Sequence, residues 1–459
     1  MKTEISPYEM VRSGLCIGCG SCAFQSPSTL HMHFDPFAEL KPAGSKEALK
    51  NEPEKFQQTC PFSPNAANET ELAEQLFPQT NNEDAALGKY SSAWVGHVTE
   101  TDMRMQGSSG GMVSWVSTEL LRRGLIDGVA HVVAAADPQS DGRFFHYRLS
   151  TTEDEVQQGA KSRYYPVEMS EVLQIILETP GRYAITGIPC FIKAVNLLRR
   201  QYPVLQERIV FTLGLFCGHM KSARFAESIA WQMEATVDEV KSLDYRSKDE
   251  RRPANWYNAQ LQLHDGSTRN KDWWHLADGD WGAGFFMNHA CNFCDDVMAE
   301  TADISFGDAW VEPYSSDGRG TNVVIVRSPA MEQLIREGVA SGRLTLQEVD
   351  AAFVTQTQAA GLRQRREGLS YRLTWAEGKE KVRKRVSAEK NIPAERKRIY
   401  RMRYKISKWS HRVFAFAKKM NMPGIYTSWA KLALAAYFGF AYHKGSVREI
   451  WKRLRGSYG

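Results

Sequence analysis

Apolar and polar positions follow two rhythms through the middle of the chain. Short, nearly continuous apolar runs at 93–98, 128–135, 182–186, 209–215, 321–327 and 344–349 read as strands, the second of them as a buried one. Between them lie stretches with apolar residues on one helical face, at 112–121, about 169–177, from Cys190 to about Arg200, and 331–339. This strand–helix alternation predicts an α/β fold, mixed with α+β character, for the central domain. Residues 253–275 alternate polar and aromatic positions around His264-Asp265-Gly266-Ser267 and predict a β-hairpin. Trp273, Trp274 and Trp281 in this region read as packing residues rather than ligand platforms. Residues 63–90 are polar and read as a linker with one helix over 70–76. Beyond about 361 the pattern is helical and breaks near Pro423-Gly424. An apolar run over 429–442 follows, interrupted by Lys431 and too short to span a bilayer.

Composition is that of a globular chain: 459 residues, 42% apolar and 24% charged, with ample material for a core without disulfide staples. The net charge of +5 hides an asymmetry. Residues 361–459 hold 26 Lys+Arg against 6 Asp+Glu, a balance of +20, and the remainder a balance of −15. The opening residues lack the apolar h-region of a signal peptide. A cytoplasmic setting is therefore expected, where clustered thiols read as metal or redox sites rather than disulfides.

The eight cysteines fall into two groups. Cys16-Ile-Gly-Cys19-Gly-Ser-Cys22 has the spacing that wraps one corner of a cubane cluster, with small residues that let backbone N–H groups approach the sulfurs. The place of a fourth ferredoxin cysteine is taken by Ser26 before Pro27, and the next candidate is Cys60 before Pro61. Cys16, Cys19, Cys22 and Cys60 are assigned to one [4Fe–4S] cluster, with a structural zinc site and a three-iron centre without Cys60 as alternatives. Cys291-Asn-Phe-Cys294 supplies two more thiols, and two cannot close a four-ligand site. Cys190 in Gly187-Ile-Pro-Cys190 and Cys217 in Phe216-Cys217-Gly-His219 each follow a predicted strand, at the edge where open α/β sheets gather ligands. A lone cysteine is usually a small buried apolar residue. Two at equivalent strand ends complete a second cluster with Cys291 and Cys294. The expected organisation is a ferredoxin-like iron–sulfur domain over 1–65, a linker over 66–91, the α/β domain over 92–360, and a basic, mainly helical extension over 361–459.

Two loops suit an anion. Ser108, Ser109, Gly110 and Gly111 precede the 112–121 helix and leave its first-turn N–H groups uncovered, although glycine-rich helix caps are common. Lys161 and Arg163 share the loop 159–166 with two tyrosines. His219 and Asp308 adjoin the proposed sites and can titrate, which makes them equally proton donors or supporting neighbours of a cluster sulfur. The basic extension favours an anionic membrane surface over nucleic acid, which is not expected as a ligand; an internal contact with the acidic body and a solvated basic helical surface are the other readings.

The cysteine runs, together with Gly107-Ser-Ser-Gly-Gly111, Lys161-Ser-Arg-Tyr164, Gly187-Ile-Pro-Cys190, Phe216-Cys-Gly-His219 and Ala302-Asp-Ile-Ser-Phe-Gly-Asp-Ala-Trp310, resemble one family in order over roughly residues 10–330. It is the beta subunits of coenzyme F420 hydrogenases and dehydrogenases with their bacterial and plant relatives. The plant relative 7-hydroxymethyl chlorophyll a reductase looks like the architectural analogue. The resemblance implies two [4Fe–4S] clusters and FAD. Ser108, Ser109, Gly110 and Gly111 would then approach the FAD phosphates, and Lys161 and Arg163 would neutralise the pyrophosphate or the flavin ring. It also implies an oxidoreductase that takes electrons from a ferredoxin-like donor and reduces a small-molecule or saccharide substrate, since many bacterial members are encoded among polysaccharide genes. The alternative is an electron-transfer subunit, linked to a deazaflavin or a ferredoxin, that serves a partner enzyme. A homo-oligomer, and a place at the inner face of the membrane, are compatible with either.

Overall fold

A computed structural model of the protein describes residues 5–51, 55–80, 82–375 and 384–442. The first four residues, and residues 443–459 of the basic extension, lie outside the described residues. The strands in chain order are β1 Leu30–Phe34, β2 Leu40–Gly44, β3 Asn82–Asp84, β4 Gly88–Tyr90, β5 Ser92–Val98, β6 Gly128–Ala134, β7 Phe145–Ser150, β8 Tyr183–Gly187, β9 Ile209–Leu215, β10 Val240–Ser247, β11 Asn258–Leu263, β12 Thr268–Asp272, β13 Ile304–Asp308, β14 Asn322–Val326 and β15 Leu344–Glu348.

The centre is an eight-stranded mixed sheet in the order β15-β5-β14-β13-β9-β8-β6-β7. Strands β6, β8, β9 and β13 run parallel, and β7, β14, β5 and β15 add antiparallel on either side. A parallel neighbour requires a crossover, and the helices Pro189–Gln201 and Pro203–Arg208 provide the one from β8 to β9. Strands β8 and β14 are buried along their whole length, which is why both read as continuous apolar runs. The C-terminal ends of β8, β9 and β13 share one edge of the sheet, and the chain leaves that edge towards Cys190, Cys217 and just past Asp308.

The β1–β2 hairpin and the helices Pro7–Arg12 and Ser21–Gln25 are not set apart from this sheet. Phe24 and Leu30 share one apolar core with Leu173 and Leu198 of the helices behind it. A second, three-stranded antiparallel sheet, β10-β11-β12, contains the hairpin expected around His264. Its core joins Phe225, Tyr245 and Phe286 to Phe414 and Tyr426 of the C-terminal extension.

That last contact brings the extension onto the body, the internal contact that the sequence also allowed. The helices Ala394–Lys419 and Pro423–Ala441 break at Met422–Pro423, as read from Pro423-Gly424, and both are packed onto the body. Tyr400, Phe414 and Tyr426 are fully buried. Lys418 pairs with Glu227 at 2.6 Å, and Arg403 donates to the Gly282 carbonyl, so the basic extension and the acidic body are partners of each other. Only the far side leaves Trp409 and Phe416 in solvent. Among the described residues no helix is long and apolar enough to cross a membrane.

Candidate functional site

The N-terminal thiols are held by a tight loop. Gly20 has a left-handed backbone (φ 85°), and a Cβ there would meet Glu168 Oε2 at 2.3 Å and the Ser170 nitrogen at 2.9 Å. Only glycine lets the loop lie against that turn. Cys60 follows the Phe56–Thr59 helix and comes close enough to Cys16, Cys19 and Cys22 for their charges to interact. Burial raises all four thiols, Cys60 to about 12, and repulsion among the thiols adds to this for Cys19, Cys22 and Cys60. Backbone N–H groups of Gly18, Ser21, Ala23 and Phe62 oppose it by pointing at the four sulfurs.

The second group comes from three places. Cys190 lies in the first turn of the Pro189–Gln201 helix, after β8. Cys217 follows β9 and its backbone N–H donates to the Val297 carbonyl at 2.9 Å. Cys291 lies in the short turn His289–Phe293, which ends at Cys294. Burial again raises the thiols, and Cys190 is raised further by Cys294, Cys217 and Cys291. The Met220 N–H donates to Cys291 Sγ at 3.3 Å. The two groups are neighbours, because Cys19 acts on Cys190 and the Tyr147 hydroxyl feels both. All eight cysteines are free of disulfides. Among the described residues no three His, Cys, Asp or Glu side chains are placed to hold a single metal ion.

Cys217 opens onto a cavity of about 1230 Å³, which also reaches the start of the Met112–Arg122 helix. Ser108, Ser109 and Gly111 border it, and so do Lys161 and Arg163. The Ser162 N–H donates to Ser108 Oγ at 2.8 Å and ties the two loops together. Ser109 Oγ donates to the Thr321 carbonyl at 2.9 Å. Gly110 stands apart from the wall: a Cβ there would meet the Asn322 nitrogen and the Gly96 carbonyl at 2.8 Å, so its small size serves strand packing. The Met112 N–H donates to Asn322 Oδ1 at 3.2 Å, so this first-turn donor is taken within the protein and not left uncovered. Lys161 pairs with Asp244 at 3.1 Å. Arg163 lies over the Phe145 ring, its Nε has no hydrogen-bond partner among the described residues, and burial lowers its pKa.

His219 and Asp308 both border the cavity but differ in what they can do. His219 stacks on Trp281 with ring centres 4.1 Å apart, and among the described residues neither ring nitrogen has a hydrogen-bond partner. Burial, with Lys221, Arg403 and Arg365 nearby, pushes it well below the usual histidine range, so it presents a neutral imidazole. Asp308 accepts hydrogen bonds from both terminal guanidinium nitrogens of Arg246, Nη1 and Nη2. Sequence reasoning passed over Lys221, which is buried at the same wall. Its Nζ donates to the Phe285 carbonyl at 2.8 Å, and burial pulls its pKa down to about 7. Trp281 and Trp273 are packed, the latter donating to the Tyr245 carbonyl. Trp274 corrects the packing expectation: it is 59% exposed at the cavity rim, because its ring falls outside the core that buries Trp273.

Two family profiles match the chain. Residues 93–174 match the N-terminal part, and residues 181–352 the C-terminal part, of coenzyme F420 hydrogenase/dehydrogenase, beta subunit. A coenzyme F420-dependent sulfite reductase of Methanocaldococcus jannaschii is 22% identical over 351 residues, covering 72% of this chain and 48% of the relative. The chain thus spans about half the length of that relative. A coenzyme F420 hydrogenase subunit beta of Methanosarcina barkeri is 21% identical, covering 58% of this chain and 85% of the relative. Among solved structures, a chain of the F420-reducing [NiFe] hydrogenase complex from Methanosarcina barkeri aligns with a TM-score of 0.48 at 18% identity. That alignment covers 64% of this chain and 96% of the other.

Proposed function

Because this chain belongs to the coenzyme F420 hydrogenase/dehydrogenase beta-subunit family, we propose that it is the electron-transfer subunit of an oxidoreductase, acting with a partner enzyme. One observation carries the reading: two all-thiol groups are adjacent, and the second opens through Cys217 onto the large cavity. Four buried thiols to a group, met by backbone N–H groups, are a donor set that fits an iron–sulfur cluster. Cys16, Cys19, Cys22 and Cys60 would hold one [4Fe–4S] cluster, and Cys190, Cys217, Cys291 and Cys294 the other. Ser108, Ser109, Lys161 and Arg163 would hold FAD in the cavity, and the unpartnered nitrogens of His219 offer it, or a ligand beside it, a hydrogen bond. Clusters pass single electrons, and a bound flavin would couple two such transfers to one hydride. This chain's residues supply burial, orientation and the exclusion of water from the thiols.

Anaerobically prepared protein is expected to carry ~8 irons and ~8 sulfides per chain, with about half lost in Cys294→Ser. Zinc in place of iron rejects the cluster assignment, and absence of extractable flavin rejects FAD. A second reading, in which the chain reduces an organic substrate such as a saccharide on electrons from a ferredoxin-like donor, draws on the cavity, which exceeds the ~300–1,000 Å³ of ordinary single-ligand sites. Turnover of such a substrate by the isolated chain with reduced ferredoxin would establish it; electron transfer only to a co-purifying enzyme would leave the subunit reading.

The exposed side of the Ala394–Lys419 helix combines Lys405, Lys408 and Arg412 with Trp409 and Phe416, which supports contact with an anionic lipid surface. Flotation with anionic vesicles should fall on replacing Trp409 and Phe416 by Ser, and equal flotation rejects it.

A further inference from the structure

The second thiol group is completed by a side chain from beyond the stretch matched by the family profile, which ends at residue 352. The helix Ala359–Arg365 brings Arg365 beneath the loops that carry Cys217, Cys291 and Cys294. Its Nη1 donates to the Cys291 carbonyl at 2.7 Å and to the Cys294 carbonyl at 3.5 Å, and its Nη2 to the Gly218 carbonyl at 2.6 Å. One planar fork therefore ties together the two loops that supply three of the four thiols. Arg365 is 3% exposed. Among the described residues no carboxylate lies within ion-pair distance of it, a condition it shares with the buried Arg327, Arg372 and Arg403, whereas the buried Arg246 has Asp308. A buried cation without a countercharge is strongly unfavourable. The groups that act most strongly on its charge are the four cysteine sulfurs, which are anionic once they bind as thiolates.

We propose that Arg365 is a positioning residue for the second thiol group, acting as its resident countercharge and raising the reduction potential of the cluster those thiols hold. The inference rests on the reading of Cys190, Cys217, Cys291 and Cys294 as cluster ligands. Reduction adds one negative charge to a centre already anionic through its thiolates, and a fixed positive charge nearby favours the reduced state. The extension thus tunes the centre from outside the shared core, through carbonyl contacts that fix the guanidinium in place.

The test is an EPR-monitored reductive titration with dithionite on the full chain, prepared anaerobically, with iron counted in each sample. The second cluster is identified as the signal lost in Cys294→Ser. Arg365→Gln is expected to retain its iron while the second cluster becomes about tenfold harder to reduce, a downward shift of about 59 mV for a one-electron couple. Arg365→Lys, which keeps the charge, is expected to hold the wild-type potential. A fully loaded Arg365→Gln with an unshifted potential overturns the inference, as does an Arg365→Lys shifted as far as Arg365→Gln. Should Arg365→Gln not load, Arg365→Lys decides: loading at the wild-type potential supports the role of charge, and failure of both to load shows a structural brace and overturns it. Wild-type protein without an iron–sulfur signal defeats the cluster reading itself, a distinct outcome.

Discussion

Arg246 grips Asp308 through two hydrogen bonds of 2.9 and 3.2 Å, from the end of β10 in the second sheet to the end of β13 in the central one. The guanidinium is buried and also lies over the rings of Tyr257 and Trp310. Removing its countercharge leaves an unpaired buried cation. Asp308→Asn is therefore expected to lose about 3 kcal/mol in urea unfolding, and the double variant with Arg246→Met to recover part of it. A loss below ~1 kcal/mol in the single variant would show the pair to be solvated like a surface bridge.

Lys221 gives stability a pH dependence of defined sign. Its folded pKa is pulled down to about 7 from an ordinary 10.5, so between those values the unfolded chain binds more protons and stability rises with pH. Below about pH 7 the cost of the buried ammonium is felt in full. Lys221→Met is expected to stabilise the protein by about 1–3 kcal/mol at pH 6, less the lost bond to the Phe285 carbonyl. The gain should shrink towards pH 10 in parallel denaturation curves. A gain that grows with pH contradicts the assignment.

The helix start at the cavity depends on Gly111, whose φ is 85° and whose added Cβ would lie 2.8 Å from the Met103 carbonyl. Gly111→Ala is expected to cost about 2 kcal/mol by thermal unfolding. Gly124, also left-handed but with open space around it, should cost less when changed to Ala, which separates backbone strain from collision.

Phe414 tests whether the C-terminal helices belong to the fold. It is fully buried, stacks on Trp231 at 4.3 Å and meets the edges of Phe286 and Tyr426. Phe414→Ala is expected to cost about 3–5 kcal/mol in denaturant unfolding. A change under ~1 kcal/mol would restore the view of an appended tail.

The strands that announced themselves in the sequence were those buried on both faces, such as β8 and β14, because burial leaves an unbroken apolar run. Strands β7 and β10 did not. Phe145–Ser150 is an edge strand with half-exposed positions, and Val240–Ser247 mixes Lys, Asp and Arg into its length. Thiols are legible because their spacing is a local property, whereas Arg246, Lys221 and Arg365 look like any surface cation until tertiary contacts bury them. The extension left two readings open for a related reason: the period of its apolar face reveals a helix, but nothing local says whether a core or a bilayer receives that face.

The pairing of Phe286 with the C-terminal helices also sets a schedule for synthesis. The Phe286 N–H donates to Ser410 Oγ, a residue made 124 positions later. At ~5–20 residues per second the ribosome needs on the order of ten seconds to cover that interval. During it Phe285, Phe286 and Tyr245 wait with one wall of their core unwritten, so nascent chains stalled or cleaved before the Ala394–Lys419 helix emerges should be the ones that chaperones hold.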